Sequence, residues 1–183
     1  MRKGFPVALS ILSALLLLLS ASKAYSKDTP LCDKIVEEAM KYLGKPYRAG
    51  GKGPDCFDCS GFTRFVYSKV GIDIPAGSYN QAELGRGIDL DYSKFQKGDL
   101  LIFSGRSSRE VGHVGMYVGP AKDGDGFLFI HAATSSGIRI SNISEDYFDK
   151  RLQSVRRIVP DAEPASEPAG EFDKDAFLSD LLK

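Results

Sequence analysis

The chain has 183 residues, 43% hydrophobic and 26% charged, which is enough for one ordinary domain with its own buried core. Twenty-four basic residues balance 24 acidic ones. No basic stripe with interleaved aromatics occurs, which excludes nucleic acid as a partner.

At the N-terminus, Arg2 and Lys3 precede the apolar run Val7–Leu19, and Ser22-Lys23-Ala24 places small residues where a signal peptidase reads. The run is too short to span a bilayer comfortably. Residues 1–24 are therefore expected to be a cleaved signal peptide, leaving no integral membrane segment and an exported protein, periplasmic or secreted. Thr29-Pro30-Leu31 lacks the two small residues expected before a lipidated cysteine, so Cys32 is not read as an anchor. Without the leader, 21 basic residues face 24 acidic ones. Three cysteines outside the cytoplasm leave at least one without a partner in the chain.

The apolar residues Leu31, Ile35, Val36, Ala39, Met40 and Leu43 predict a helix from Leu31 to Leu43, stopped by Gly44. Tyr47–Pro54 is rich in glycine and reads as irregular chain. Phe62, Phe65, Val66 and Val70 then mark a second helix, Cys59–Val70, ending at Gly71. Cys59 stands where loop becomes helix, among unpaired N–H groups and the positive end of the helix dipole. Its thiol is expected to ionise more easily than a free one. Ser78 can cap a short helix through Leu84, with Gly85 and Gly87 as breakers.

Short apolar runs between turns predict strands at Asp99–Ser104, His113–Val118, Phe127–His131, Ile138–Ser141 and Val155–Val159, with a helical turn near Ser144–Lys150. Helices first and an antiparallel sheet afterwards make an α+β layout. Residues 31–159 form the expected domain. Residues 160–183, with seven acids and two lysines, read as an acidic flexible tail carrying a possible short helix at Phe172–Leu182.

His113 and His131 are the two histidines of the chain, both in predicted strands. Alternation places His113, Gly115 and Tyr117 on one face and the core residues Val114, Met116 and Val118 on the other. In a hairpin the histidines share a face if paired positions have an even sum, and a sum of 244 would set them directly opposite, about 5 Å apart at Cβ. A thiol at a helix start and two neighbouring imidazoles are the parts of nucleophile, base and orienter.

Tyr47-Arg48-Ala49-Gly50-Gly51, Asp58-Cys59-Ser60-Gly61-Phe62, Gly98–Phe103, His113–Gly119 and Phe129-Ile130-His131-Ala132 occur in the order and spacing of a known family. From about Ile35 to Val159 the chain resembles the NlpC-like cell-wall cysteine peptidases. The resemblance implies a papain-like α+β fold with the nucleophile at a helix N-terminus packed on an antiparallel sheet. It implies hydrolysis of amide bonds in peptidoglycan stem peptides, often between γ-D-glutamate and a diamino acid; a monomer without a cofactor or metal is expected. By position, Cys59 resembles the nucleophile, His113 the general base and His131 the residue that orients it. Tyr47 is similar to a tyrosine near the oxyanion site, and Asp58 and Ser78 fall at substrate-binding positions. Ala76-Gly77 departs from the pattern, which often has an arginine just before Ser78.

With Cys59 as nucleophile, Cys32 and Cys56 remain as a candidate disulfide pair. Three other readings compete. Cys56-Phe57-Asp58-Cys59 is a Cys-x-x-Cys at a helix start, as in thiol oxidoreductases, although its approach is loop and not a buried strand. Cys56, Cys59, His113 and His131 are zinc-ligand types, at separations far from compact metal motifs. A peptidoglycan-binding module without activity would keep the fold alone.

Overall fold

A computed structural model describes residues 30–105, 110–122 and 124–160. The expected signal peptide and residues 161–183 of the tail lie outside the described residues. Among those described, no helix is long and apolar enough to cross a membrane.

Helix α1 (Leu31–Met40) buries Ile35, Val36, Ala39 and Met40, the apolar stripe of its sequence. It ends three residues earlier than expected, and turns carry the chain to Gly44, whose φ of 77° suits a residue without a Cβ. Helix α2 (Cys59–Lys69) buries Phe62, Val66 and Tyr67. Its start is fixed by Asp58, whose Oδ1 accepts the N–H of Gly61 at 2.6 Å and the hydroxyl of Ser60 at 3.1 Å. Helix α3 (Ser78–Ala82) is shorter than expected, and Ser78 does not cap it: Gly77 does, at φ 92°, and no side chain closes that end.

Six strands follow: β1 (Arg86–Ile88), β2 (Leu100–Ser104), β3 (Val111–Pro120), β4 (Phe127–Ala133), β5 (Gly137–Asn142) and, after a single turn α4 (Asp146–Asp149), β6 (Leu152–Arg157). They form one antiparallel sheet in the order β1-β6-β2-β3-β4-β5. Five of the six were legible in the sequence. β1 was not, because it is a three-residue edge strand that contains Gly87, a residue expected to break structure.

Both faces of the sheet carry apolar clusters. Leu100, Ile102, Val114, Met116, Val118, Ile130 and Ala132 pack with α1 and α2. The opposite face buries Leu101, Phe103, Tyr117, Phe127, Phe129, Phe148 and Val155. The His113–Tyr117 face is thus a second core over most of its area, with a cleft at the histidines. Asp99 and Arg157, 2% and 7% exposed, join β2 to β6 through two hydrogen bonds of 2.9 and 2.8 Å.

Candidate active site

The β3–β4 hairpin has an even register sum, so His113 and His131 share a face, but the sum is 246 and not 244. Gly115 stands opposite His131, Met116 opposite Ile130 and Tyr117 opposite Phe129. The histidines therefore meet diagonally, with His113 Nε2 at 2.9 Å from His131 Nδ1 and the rings edge to face. Gly115 makes this possible. A Cβ there would lie 2.9 Å from the Phe129 ring and 3.2 Å from the Cβ of His131.

His131 is 1% exposed. Its ring stacks on Phe129 and meets Phe148 edge-on. Its second nitrogen, Nε2, lies 3.0 Å from the hydroxyl of Ser141 on β5. Ser141 pairs with Phe129 across the strands, so it too reaches His131 diagonally. With the proton of His113 on Nε2, that N–H donates to His131 Nδ1, and the proton of His131 is then on Nε2, facing Ser141. That tautomer leaves Nδ1 of His113 as an acceptor.

A register shift at Phe103/Ser104 leaves Gly112 as the extra residue of β3, beside His113. Bulges of this kind re-aim neighbouring side chains. A Cβ on Gly112 would meet the backbone of Gly105 at 2.5 Å, so glycine is required for the two segments to pass.

Cys59 reaches the same place from α2. Its sulfur lies against the backbone N–H of Val114, the residue after His113, and near the N–H groups of Ser60 and of Cys59 itself. Gly61 fixes the approach of the helix: a Cβ there would collide with the carbonyl oxygen of Gly51, an atom that also accepts the N–H of Asp58. From the other side Gln81, fully buried, donates to the carbonyls of Ser60 and Pro75 and accepts from Thr63, tying α3 to the first turn of α2.

Tyr47, Cys59, His113, His131, Gly105, Gly112, Arg139, Glu145 and Phe148 share one cleft of about 600 Å³. Of the residues singled out in the sequence, Cys59, His113, His131 and Tyr47 line it. Asp58 and Ser78 do not. Asp58 caps α2 and also accepts the N–H of Gly50 at 3.1 Å, which occupies both of its oxygens. Ser141, Arg139 and Glu145 were not singled out: alternation groups Arg139 with Ser141, but only the register sets them beside His131.

The electrostatics correct one expectation. Burial pushes the Cys59 thiol up, and the N–H of Val114 and of the helix start only partly offset it, with Asp58 adding to the rise. Desolvation outweighs the helix terminus here. Burial lowers His113 to about 4 even though its ring keeps an opening on the cleft. It lowers His131 further, helped by His113 and Arg139. Burial thus favours the uncharged form of both side chains. The Tyr47 hydroxyl is pushed up by burial and then by Cys59 and Asp58, its neighbours.

Cys32, Cys56 and Cys59 are all free thiols, so the Cys32–Cys56 bridge is not formed. Among the described residues no cluster of three or more His, Cys, Asp or Glu is arranged to hold a metal ion.

A family model described as NlpC/P60 family matches residues 44–157. Murein DD-endopeptidase MepS/Murein LD-carboxypeptidase of Escherichia coli is 34% identical over 127 residues, covering 69% of this chain and 62% of that protein. Gamma-D-glutamyl-L-lysine dipeptidyl-peptidase of Bacillus subtilis is 34% identical over 134 residues, covering 72% of this chain and 43% of that protein. The chain thus spans less than two thirds of either relative. Among solved structures, an NlpC/P60 family protein from Bacillus cereus matches with a TM-score of 0.62 at 33% identity, over 72% of this chain and 41% of that one. The NlpC/p60 domain of peptidoglycan hydrolase SagA matches with a TM-score of 0.56 at 35% identity, over 69% of this chain and 97% of that one.

Proposed function

The chain belongs to the NlpC/P60 family, and from that membership we propose that it is a cysteine endopeptidase cutting amide bonds in bacterial peptidoglycan stem peptides, at the bond from γ-D-glutamate to a diamino acid. Residues 31–159 are its peptidase domain, residues 1–24 a cleaved signal peptide and residues 160–183 an acidic tail. It acts as a monomer outside the cytoplasm. The observation that carries the reading is the 2.9 Å contact between His113 Nε2 and His131 Nδ1 in a cleft shared with Cys59.

In this mechanism Cys59 Sγ attacks the amide carbonyl carbon while its proton passes to Nδ1 of His113. Burial favours the uncharged form of both groups, so the base is needed as the sulfur attacks. The oxyanion is held by the N–H of Cys59, at a helix start without an intrahelical acceptor, with the Tyr47 hydroxyl nearby. The C–N bond then breaks, and His113 returns the proton to the leaving amine. Water, deprotonated by His113, attacks the thioester, releasing the new carboxylate and restoring the Cys59 thiol. His131 holds the ring of His113 in place throughout.

Asp58 and Ser78 keep their proposed substrate role only if the peptide reaches beyond the cleft. A Cys-x-x-Cys oxidoreductase would not use the histidine pair, and an inactive binding module would not need it. The test is mass analysis of defined muropeptides incubated with purified protein. Wild type is expected to release fragments cut after γ-D-glutamate, and Cys59→Ala and His113→Ala to lose the rate by about a thousandfold or more. A folded Cys59→Ala protein that cuts at the wild-type rate would sink the mechanism.

A further inference from the structure

The cleft wall beyond the histidines carries an ion pair that bond cleavage does not use. Arg139 stands directly opposite His131 in the β4–β5 register, which puts their Cβ atoms about 5 Å apart. Its Nη2 donates to Oε1 of Glu145 at 3.0 Å, and that oxygen also accepts the N–H of Asn142 at 3.2 Å. Glu145 stands just ahead of α4, so the pair joins two elements of the wall. Both side chains are about two-fifths exposed, 42% and 40%, and both line the cleft with Cys59 and His113. Among the described residues, Nη1 of Arg139 and Oε2 of Glu145 have no hydrogen-bond partner. A half-exposed pair of this kind adds little to stability. It does present a fixed positive and a fixed negative group side by side at the mouth of a reactive cleft.

Its position relative to the scissile bond follows from proton transfer. His113 protonates the departing nitrogen, so the residue that bears that nitrogen lies on the histidine side of Cys59, toward Arg139. The acyl portion lies on the other side, toward Tyr47. Resting on the hydrolysis proposed above, we infer that Arg139 and Glu145 form the subsite for the leaving diamino acid, and that they select one whose side chain ends in both an ammonium and a carboxylate. The guanidinium fork pairs with the carboxylate, and the free Glu145 oxygen takes the ammonium. A lysine in the same place offers the ammonium alone, giving the Arg139 fork no carboxylate from the peptide and bringing it close to a like charge.

The test uses three peptides, L-Ala-γ-D-Glu-X, in which X is meso-diaminopimelate, the same residue amidated at its side-chain carboxylate, or L-lysine. Binding is measured by titration calorimetry with the full chain carrying Cys59→Ala, and cleavage with the chain carrying Cys59. The diaminopimelyl peptide is expected to bind about tenfold to a hundredfold more tightly than the amidated one. Arg139→Gln removes that advantage, with no matching loss of affinity for the amidated and lysyl peptides. Glu145→Gln weakens all three peptides, since each ends in an ammonium. Equal binding of the acid and amide peptides overturns the inference, and this comparison needs no substitution in the subsite. An Arg139→Gln penalty that is the same for all three peptides also overturns it. Selective binding without cleavage of any peptide leaves the subsite standing and removes the hydrolysis. Cleavage without selectivity does the reverse.

Discussion

His113 and His131 touch through their ring nitrogens at 2.9 Å although they are not cross-strand partners: Gly115 occupies the position opposite His131. The same diagonal offset is repeated on the next strand, where Ser141, opposite Phe129, meets His131. Three side chains from β3, β4 and β5 thus form one hydrogen-bonded line across the sheet, held between the rings of Phe129 and Phe148.

Ser141→Ala leaves the buried Nε2 of His131 without its hydrogen-bond partner, a defect worth about 1–3 kcal/mol. The loss is expected in kcat, by about tenfold or more, with KM unchanged, because Ser141 does not line the cleft. Steady-state kinetics on a defined muropeptide checks it, and an equal rise in KM would argue against a positioning role.

Gly115→Ala tests the diagonal directly. The added methyl would press on Phe129 and on the Cβ of His131, an overpacking of about 1–3 kcal/mol. Cleavage is expected to fall much further than the urea midpoint suggests, since His131 is the group displaced. A variant with wild-type kcat would show that the contact tolerates the shift.

The pH dependence follows from the lowered histidines. Burial takes His113 from the ordinary 6.5 to about 4, so it stays a neutral base well below pH 6, and the acid limb of kcat/KM is expected nearer 4 than 6.5. For stability, the unfolded chain takes up its proton near pH 6.5 and the folded one only near 4. Above 6.5 neither form holds it. Between 6.5 and 4 the unfolded state binds more protons, so stability falls as the solution is acidified, by at most about 1.4 kcal/mol per pH unit for this group. Thermal melts from pH 7 to 4, with His113→Gln giving a shallower slope, check the sign.

Asp99→Ala leaves the Arg157 guanidinium buried without its carboxylate and frees the Gln96 N–H that Asp99 also accepts. Breaking a buried pair in this way costs about 3–5 kcal/mol. Denaturant unfolding is expected to show the loss, while the folded fraction keeps its kcat because the pair lies away from the cleft. Unchanged stability would mean that the remaining contacts of Arg157, among them its 2.6 Å hydrogen bond to the Lys94 carbonyl, are enough for the guanidinium.

Local pattern was enough for much of this protein. The three- and four-residue spacing behind Cys59 specified α2, and alternation specified that Val114, Met116 and Val118 turn away from His113. Whether the two histidines share a face stays open at that level, because alternation does not say if the hairpin sum is even. Side-chain direction within an element depends only on the backbone repeat, and that repeat is written in the order of residues. The brief edge strand β1 escapes because three residues show no period, and Ser78 reads as a cap because residue type does not say which of two adjacent candidates, Gly77 or Ser78, precedes the first helical residue.

Tertiary structure decided which neighbours each of those side chains acquires. The hairpin sum of 246 made the histidine contact diagonal, and the β4–β5 register brought Ser141 and Arg139 to His131 from positions that alternation only grouped together. Packing also reversed the expected direction for the Cys59 thiol, since desolvation is a property of everything that surrounds the sulfur and the helix start is only one part of it. Register and burial are set by contacts between segments far apart in the chain, where the free energy belongs to the pair and to the enclosed volume, and neither can be read from one segment by itself.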